Sequence, residues 1–385
     1  RFLFMGTNYK NTKHTPQCLV VGAGISGATA ARLLAEAGYR VTVLESRKNI
    51  GGNCHDCLNE DGLFIQPHGP HIFHTSNATV WDFLGRFTEW LPYEHRVLAN
   101  IDGKLLPFPI NLDTLRQLTG RCFSPAEMAE FLKFEVSRST YSNPPANFRD
   151  QVVSQVGETL YEAFFRHYTE KQWGRAPEEL SADVAKRIPL RFNHDDRYFT
   201  DPFQGIPREG FTEMIRRMLD HPGITIHLEH DFFSEDSLPC ALLTVFTGEV
   251  DRFFGYKYGK LEYRSLKMDF VTLNEGRHQP AAVVNYPGKE PWTRITEFKH
   301  FYGQEHPKTT LCYEYPASEG HPYYVVYSRE NLIKRSKYMK EVEKLEKSGT
   351  SLFCGRLAEY RYYNMDQAVA SAMSKVKAWL RQGRA

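Results

Sequence analysis

The chain carries almost no net charge. Its 48 basic and 46 acidic residues leave a formal charge of +2. That argues against a general nucleic-acid binder and leaves room for a local basic cleft around an anionic ligand. Long apolar runs are missing as well. Nothing approaches the length of a membrane-spanning helix. The polar stretch 1–16 holds one apolar patch, residues 2–5, too short for the core of a signal peptide, and it reads as a flexible leader. The seven cysteines are odd in number and show no framework of spacings, so the sequence predicts reduced thiols and a cytoplasmic protein. Cys54 and Cys57 form one C-x-x-C pair without the second pair a zinc site needs, so no metal centre is expected.

What is present is a chain of 385 residues with 41% hydrophobic residues, enough for two or three packed domains. Aromatics are abundant, with 21 Tyr and 26 Phe. Most belong to a core, and the rest are available as stacking surfaces for a sugar or a base.

The stretch 18–45 organises everything else. Leu19, Val20 and Val21 form an apolar run without alternation, as a strand buried on both faces requires. Gly22, Gly24 and Gly27 follow in G-x-G-x-x-G spacing. The first allows a tight turn, the second allows a pyrophosphate to approach the backbone, and the third lets the next helix pack on the strand. Residues 26–37 are predicted helical, so Ile25 and Ser26 lie at a positively polarised N-terminus. A second strand ends in Glu45, where an acid holds ribose hydroxyls. Ser46 and a basic pair then lead to Gly51, Gly52 and Asn53. This second glycine pair resembles the extended fingerprint of two-domain FAD proteins, so FAD is favoured over NAD.

Further along, three histidines, His68, His71 and His74, share a loop with Gly69 and Pro70, a candidate cofactor contact. Residues 77–87 are predicted helical. Residues 97–101 and 104–108 read as a hairpin around Asp102-Gly103. Helices are predicted over 112–118, 126–134, 148–157 and 158–169, the last carrying aromatics on one stripe, with Tyr168 and Trp173 in a more exposed setting. Arg187, Arg191 and Arg197 alternate with aromatics, which suits either a nucleotide diphosphate or a solvated loop. Residues 211–219 are predicted helical and 224–228 and 242–246 strands. An antiparallel sheet is expected over 259–266, 268–273, 281–286, 292–298 and 323–327, with Arg294 mid-strand as a ladder member or an anion ligand. Residues 331–347 and 366–380 are predicted helices flanking a strand at 352–354.

Several stretches together resemble the bacterial UDP-galactopyranose mutases: GAGISGA, GGNCHD, GPHIFHT, LPFPINL, YTEKQW, RIPLRFNHDDRYF, TRITEFKH and GRLAEYRYYNMD among them, from about residue 17 to 380. The resemblance implies an α/β fold: a Rossmann-like FAD-binding domain (17–88, 203–250 and 331–385), an inserted mainly α domain carrying a mobile lid (111–181), and an antiparallel sheet domain (89–110, 182–202 and 251–330). It also implies a homodimer that interconverts UDP-galactopyranose and UDP-galactofuranose, feeding cell-surface polysaccharides. By that resemblance, reduced FAD would attack the anomeric carbon through N5, and an iminium adduct would let the ring open and re-close.

Residue by residue, the resemblance casts Arg187 and Arg294 as the diphosphate arginines and Trp173 as a lid residue. Phe165, Tyr168 and Thr169 become neighbours of the uridine, and Tyr198, Tyr327 and Tyr362 phosphate-binding tyrosines. Arg356 and His71 would approach the flavin, His71 as a tuner of its reactivity. Ile72, Tyr363, Asn364 and Met365 complete the cofactor contacts. The chain departs from the more usual motif at Asn364, where many relatives carry Asp. The alternatives are an FAD amine oxidase or dehydrogenase on the same fold, and a non-catalytic nucleotide-sugar binder.

Overall fold

The computed structural model describes residues 17–185, 189–234 and 240–383. The leader 1–16 and Arg187 lie outside the described residues. The expected strand–glycine–helix segment heads a five-stranded sheet whose order is Ile224–Leu228, Arg40–Glu45, Gln17–Val21, Leu243–Phe246, Ser351–Phe353. Every pairing in it is parallel. Parallel strands covered on both faces have no solvent side, which is why Leu19, Val20, Leu243 and Val245 are all buried. The helices Ile25–Glu36, Phe211–Leu219 and Met365–Leu380 share one core with the sheet.

The second sheet has seven strands, ordered Tyr324–Val325, Tyr263–Leu273, Thr309–Ala317, Arg294–Glu297, Val283–Asn285, Val97–Ile101, Lys104–Phe108. It is antiparallel except where Val283–Asn285 runs parallel to Val97–Ile101. Two expectations are corrected here. Residues 259–266 and 268–273 are not separate strands; one long strand, Tyr263–Leu273, runs through Lys267. Its partner along nine residues is Thr309–Ala317, a strand the sequence reading omits. The hairpin at Asp102-Gly103 is as expected. Both residues have positive φ, 49° and 83°, the backbone of a tight hairpin turn.

The helical insertion comprises Leu112–Thr119, Pro125–Ser137, Phe148–Tyr161 and His167–Trp173 around its own core. The expected single helix over 158–169 is instead interrupted. A π-helical turn, Glu162–Arg166, separates two α-helical pieces and rephases the aromatics that follow, a common device at functional sites. Trp173, expected in an exposed setting, is 8% exposed. It packs against Tyr324 and Tyr362.

Candidate active site

Two cavities meet in the middle of the molecule. The first, about 640 Å³, runs along the carboxyl ends of the parallel strands. Gly22, Gly24, Ile25, Ser26, Gly27, Glu45, Ser46, Gly51, Gly52 and Asn53 line it from the N-terminal segment, and Arg356, Tyr363, Asn364 and Met365 from the C-terminal one. Its floor is made of glycine for steric reasons. A Cβ on Gly27 would stand 1.9 Å from the Gly22 carbonyl oxygen, and one on Gly52 would stand 3.0 Å from Gly24 Cα. The two glycine pairs thus pack on each other, leaving bare backbone and a helix N-terminus toward the cavity. Glu45, buried, accepts hydrogen bonds from the backbone N–H of Ala23 and Arg47 at 2.8 and 2.9 Å. That fixes its carboxylate at the end of the second strand. This donor set fits a dinucleotide diphosphate with its ribose.

The second cavity, about 410 Å³, lies between the helical insertion and the seven-stranded sheet. Phe165, Tyr168, Thr169, Trp173, Tyr198, Arg294, Tyr327, Arg356 and Tyr362 all line it, so the structure gathers every described residue of the substrate set. Ile72 also faces this cavity rather than the first. Arg294 Nη2 donates to the Tyr168 hydroxyl at 2.8 Å. Its Nε lies 3.5 Å from the buried Glu314 carboxylate. Burial opposes the Arg294 charge, but the surrounding phenols and Glu314 hold it firmly protonated. Burial also raises the Tyr168, Tyr198 and Tyr324 phenols, so they act as neutral hydrogen-bonding groups.

The cavities share Asn53, His71, Arg356, Asn364 and Met365. Arg356 donates to the Tyr323 carbonyl at 2.8 Å and to the Tyr363 carbonyl at 2.6 Å. Its guanidinium rests over the rings of Tyr324 and Tyr362, an arrangement that orients a cation without neutralising it. His71 has Nδ1 2.8 Å from the Gly69 carbonyl. Burial lowers its pKa to about 4, so the ring is neutral, Nδ1–H donates, and Nε2 is left as an acceptor.

The arginine loop divides. Arg191 and Arg197 both pair with Asp195, whose pKa is lowered to about 2, chiefly by Arg197. They belong to a self-neutralised loop and line neither cavity. Sequence reasoning missed Glu314 and Tyr324. Tyr324 lies in a two-residue edge strand, and Glu314 in the omitted one. The described residues contain no group of three or more metal-ligating side chains suited to a metal ion.

A glycine cradle with its acidic companion, opening at a polar seam onto an aromatic cavity with a half-buried arginine, defines a dinucleotide-binding α/β protein with a second cavity suited to an anion. Family models agree. One described as UDP-galactopyranose mutase matches residues 163–362, and one described as an NAD(P)-binding Rossmann-like domain matches 20–87. A probable UDP-galactopyranose mutase of Klebsiella pneumoniae is 40% identical, covering 94% of each chain. A dTDP-fucopyranose mutase of Escherichia coli is 37% identical over 95% of this chain and 99% of that one. The crystal structure of a reduced UDP-galactopyranose mutase shares the fold, with a TM-score of 0.78 over 96% of each chain at 18% identity. A flavin-containing amine oxidase A of Sus scrofa matches 26% of the chain. The chain belongs to the UDP-galactopyranose mutase family, and its dinucleotide is FAD.

Proposed function

We propose that this protein interconverts UDP-galactopyranose and UDP-galactofuranose. The observation that carries the reading is the meeting of the two cavities at Asn53, His71, Arg356, Asn364 and Met365. Reduced FAD, when bound, would supply the nucleophilic nitrogen for displacement at the anomeric carbon, with no net redox change over the cycle. Everything else falls to the chain. Arg294 meets the diphosphate and stabilises the charge that grows on it as the C1–O bond breaks and UDP takes the electron pair. Arg187 is the second diphosphate arginine by resemblance. The hydroxyls of Tyr198, Tyr327 and Tyr362 hydrogen-bond the phosphates, while Phe165, Tyr168 and Thr169 flank the uridine and Trp173 closes the wall. These aromatics exclude water, which would otherwise capture the activated sugar. His71, neutral and anchored on Gly69, accepts a hydrogen bond at Nε2 and holds the seam in place. Arg356 keeps a positive charge where the diphosphate leaves and returns.

A cytoplasmic homodimer belongs to the same reading. Reduced thiols at Cys18, Cys54, Cys57, Cys122, Cys312 and Cys354 and a UDP-sugar substrate support the location. The alternative with an observation behind it is a dTDP-6-deoxyhexose mutase, favoured by the 37% identity to the E. coli enzyme. An amine oxidase is disfavoured by Arg294, which repels a cationic substrate.

The test is anaerobic incubation of the dithionite-reduced protein with UDP-galactofuranose, followed by chromatography. Conversion to UDP-galactopyranose is expected, and none with the oxidised protein. FAD-loaded, reduced protein that converts dTDP-fucopyranose but not the UDP-sugar would move the reading to the second substrate. Oxygen consumption with an amine would overturn both.

A further inference from the structure

The helix His167–Trp173 places Tyr168, Thr169, Gln172 and Trp173 on the wall of the second cavity. Lys171 belongs to the same helix but not to that wall. Its Nζ donates to three backbone carbonyls, Tyr286 at 2.6 Å, Glu290 at 2.9 Å and Trp292 at 2.9 Å. An ammonium has three donors, and all three are used. The acceptors belong to the 286–293 connection between the strands Val283–Asn285 and Arg294–Glu297. The C-terminal end of the helix is held by a second cation. Arg264, buried in the strand Tyr263–Leu273, donates to the carbonyls of Gln172 at 3.0 Å and Lys171 at 3.3 Å.

A closed circuit results. Lys171 ties the helix to the connection, and Arg294 follows Trp292 by two residues. Arg294 returns to the helix through its 2.8 Å bond to Tyr168. Every partner of Lys171 is a neutral carbonyl, so the ammonium orders backbone rather than completing an ion pair. We infer that Lys171 is a positioning residue, whose ammonium holds Tyr168 against Arg294 and so sets the affinity of the second cavity for a nucleoside diphosphate. This rests on the reading of Arg294 as a diphosphate ligand.

The tie is titratable. Burial lowers the Lys171 pKa to about 8, with the Glu290 carboxylate opposing. Other charges on the packed elements are engaged elsewhere. His167 and Arg166 pair with Glu170, Arg264 holds carbonyls, and Glu314 faces Arg294. Lys289, in the connection itself, is exposed. The Tyr286 phenol is raised by burial and does not ionise in this range. Once neutral, the amine has only two weaker donors for three carbonyls.

The test is titration of UDP-galactopyranose into the oxidised, FAD-loaded protein, in which no turnover is expected, from about pH 7 to about pH 9. The native Kd is expected to rise by up to roughly tenfold across that range, the limit set by a single group of pKa near 8. Lys171→Met is expected to bind weakly already at the lower pH and to show no such rise, with its FAD content unchanged. A flat native profile overturns the inference, even if the variant fails to fold. So does a variant that binds like the native protein at the lower pH. Native, FAD-loaded protein that binds no UDP-sugar at any pH overturns the diphosphate reading itself, a distinguishable failure.

Discussion

Arg294 and Glu314 are register partners on adjacent antiparallel strands, and the arginine Nε approaches the carboxylate to 3.5 Å. The glutamate side chain is 1% exposed and the arginine 24%. Burial raises the Glu314 pKa, and Arg294 and Thr296 oppose the shift. Glu314 stands within ion-pair range of Arg294 and orients the arginine proposed to meet a diphosphate. Glu314→Gln should destabilise the UDP-free protein by about 1–3 kcal/mol, below the cost of breaking a fully buried pair because Arg294 reaches solvent. Added UDP should raise the melting temperature of the variant more than that of the native protein, since ligand charge replaces the lost carboxylate. Equal ligand shifts in thermal melts would refute the role.

The arginines proposed to meet the diphosphate should be separable from cofactor binding. Arg294 lines the second cavity and not the first. Arg294→Ala and Arg187→Ala should each lower kcat/KM by about a hundredfold or more, the usual effect of removing a preorganised charge stabiliser. The visible FAD spectrum should stay intact. Near-native turnover in both variants would remove them from the site.

The glycine cradle and the cavity's arginine differ in how far they are legible in sequence. Gly22, Gly24, Gly27 and Glu45 could be assigned roles because each is dictated by local geometry: a positive φ, a close approach, a strand end. The strand Thr309–Ala317 could not be recognised. It is central, yet it buries Thr309, Thr310 and Glu314, polar residues that break the apolar pattern by which a buried strand is found. Glu314 was lost with it. Arg191 and Arg294 look alike as letters; the family resemblance singles out Arg294, and the fold shows that Arg191 faces Asp195 while Arg294 lines the cavity. The acceptors of Lys171 are carbonyls more than a hundred residues away, and no residue type marks them.

Within the cradle, two neighbouring glycines should respond differently to the same substitution. A Cβ at Gly27 collides with the Gly22 carbonyl at 1.9 Å, whereas one at Gly24 meets nothing closer than Gly52 Cα at 3.6 Å. Gly27→Ala should fail to give folded protein. Gly24→Ala should keep the fold but intrude on the pyrophosphate path, giving colourless protein with native circular dichroism. Full FAD occupancy in Gly24→Ala would show that the cofactor does not approach there.

Acid stability should depend on Glu297, which is fully buried. Burial pushes its pKa up, but bonds from His300, Thr309 and the backbone N–H of Gln279 and His278 outweigh that and lower it from 4.5 to about 2. A folded-state pKa below the unfolded one contributes stability above the unfolded value, lost as pH falls toward the folded value. The shift corresponds to about 3 kcal/mol. Denaturant melts should therefore weaken between about pH 4.5 and about pH 2. Glu297→Gln should lose a comparable amount at neutral pH and show a shallower acid profile. An unchanged profile would mean that other carboxylates govern acid unfolding.

Asn364 caps the helix Met365–Leu380 and lines both cavities. The position combines the positive end of a helix dipole, already met in the first turn by Asp366, with the nearby Arg356 guanidinium, and an amide there adds no charge against either. A carboxylate would suit the helix itself by about 0.3–1 kcal/mol. It would also place a negative charge beside a flavin that becomes anionic on reduction. Asn364→Asp should therefore melt slightly higher while its flavin midpoint potential falls, read by anaerobic titration against a reference dye. The opposing directions make the test specific. A general loosening of the site would lower the melting temperature, and a change confined to the helix would leave the potential where it was. A potential that does not move would place the Asn364 side chain beyond electrostatic reach of the flavin, and the amide would then matter only to the helix it caps.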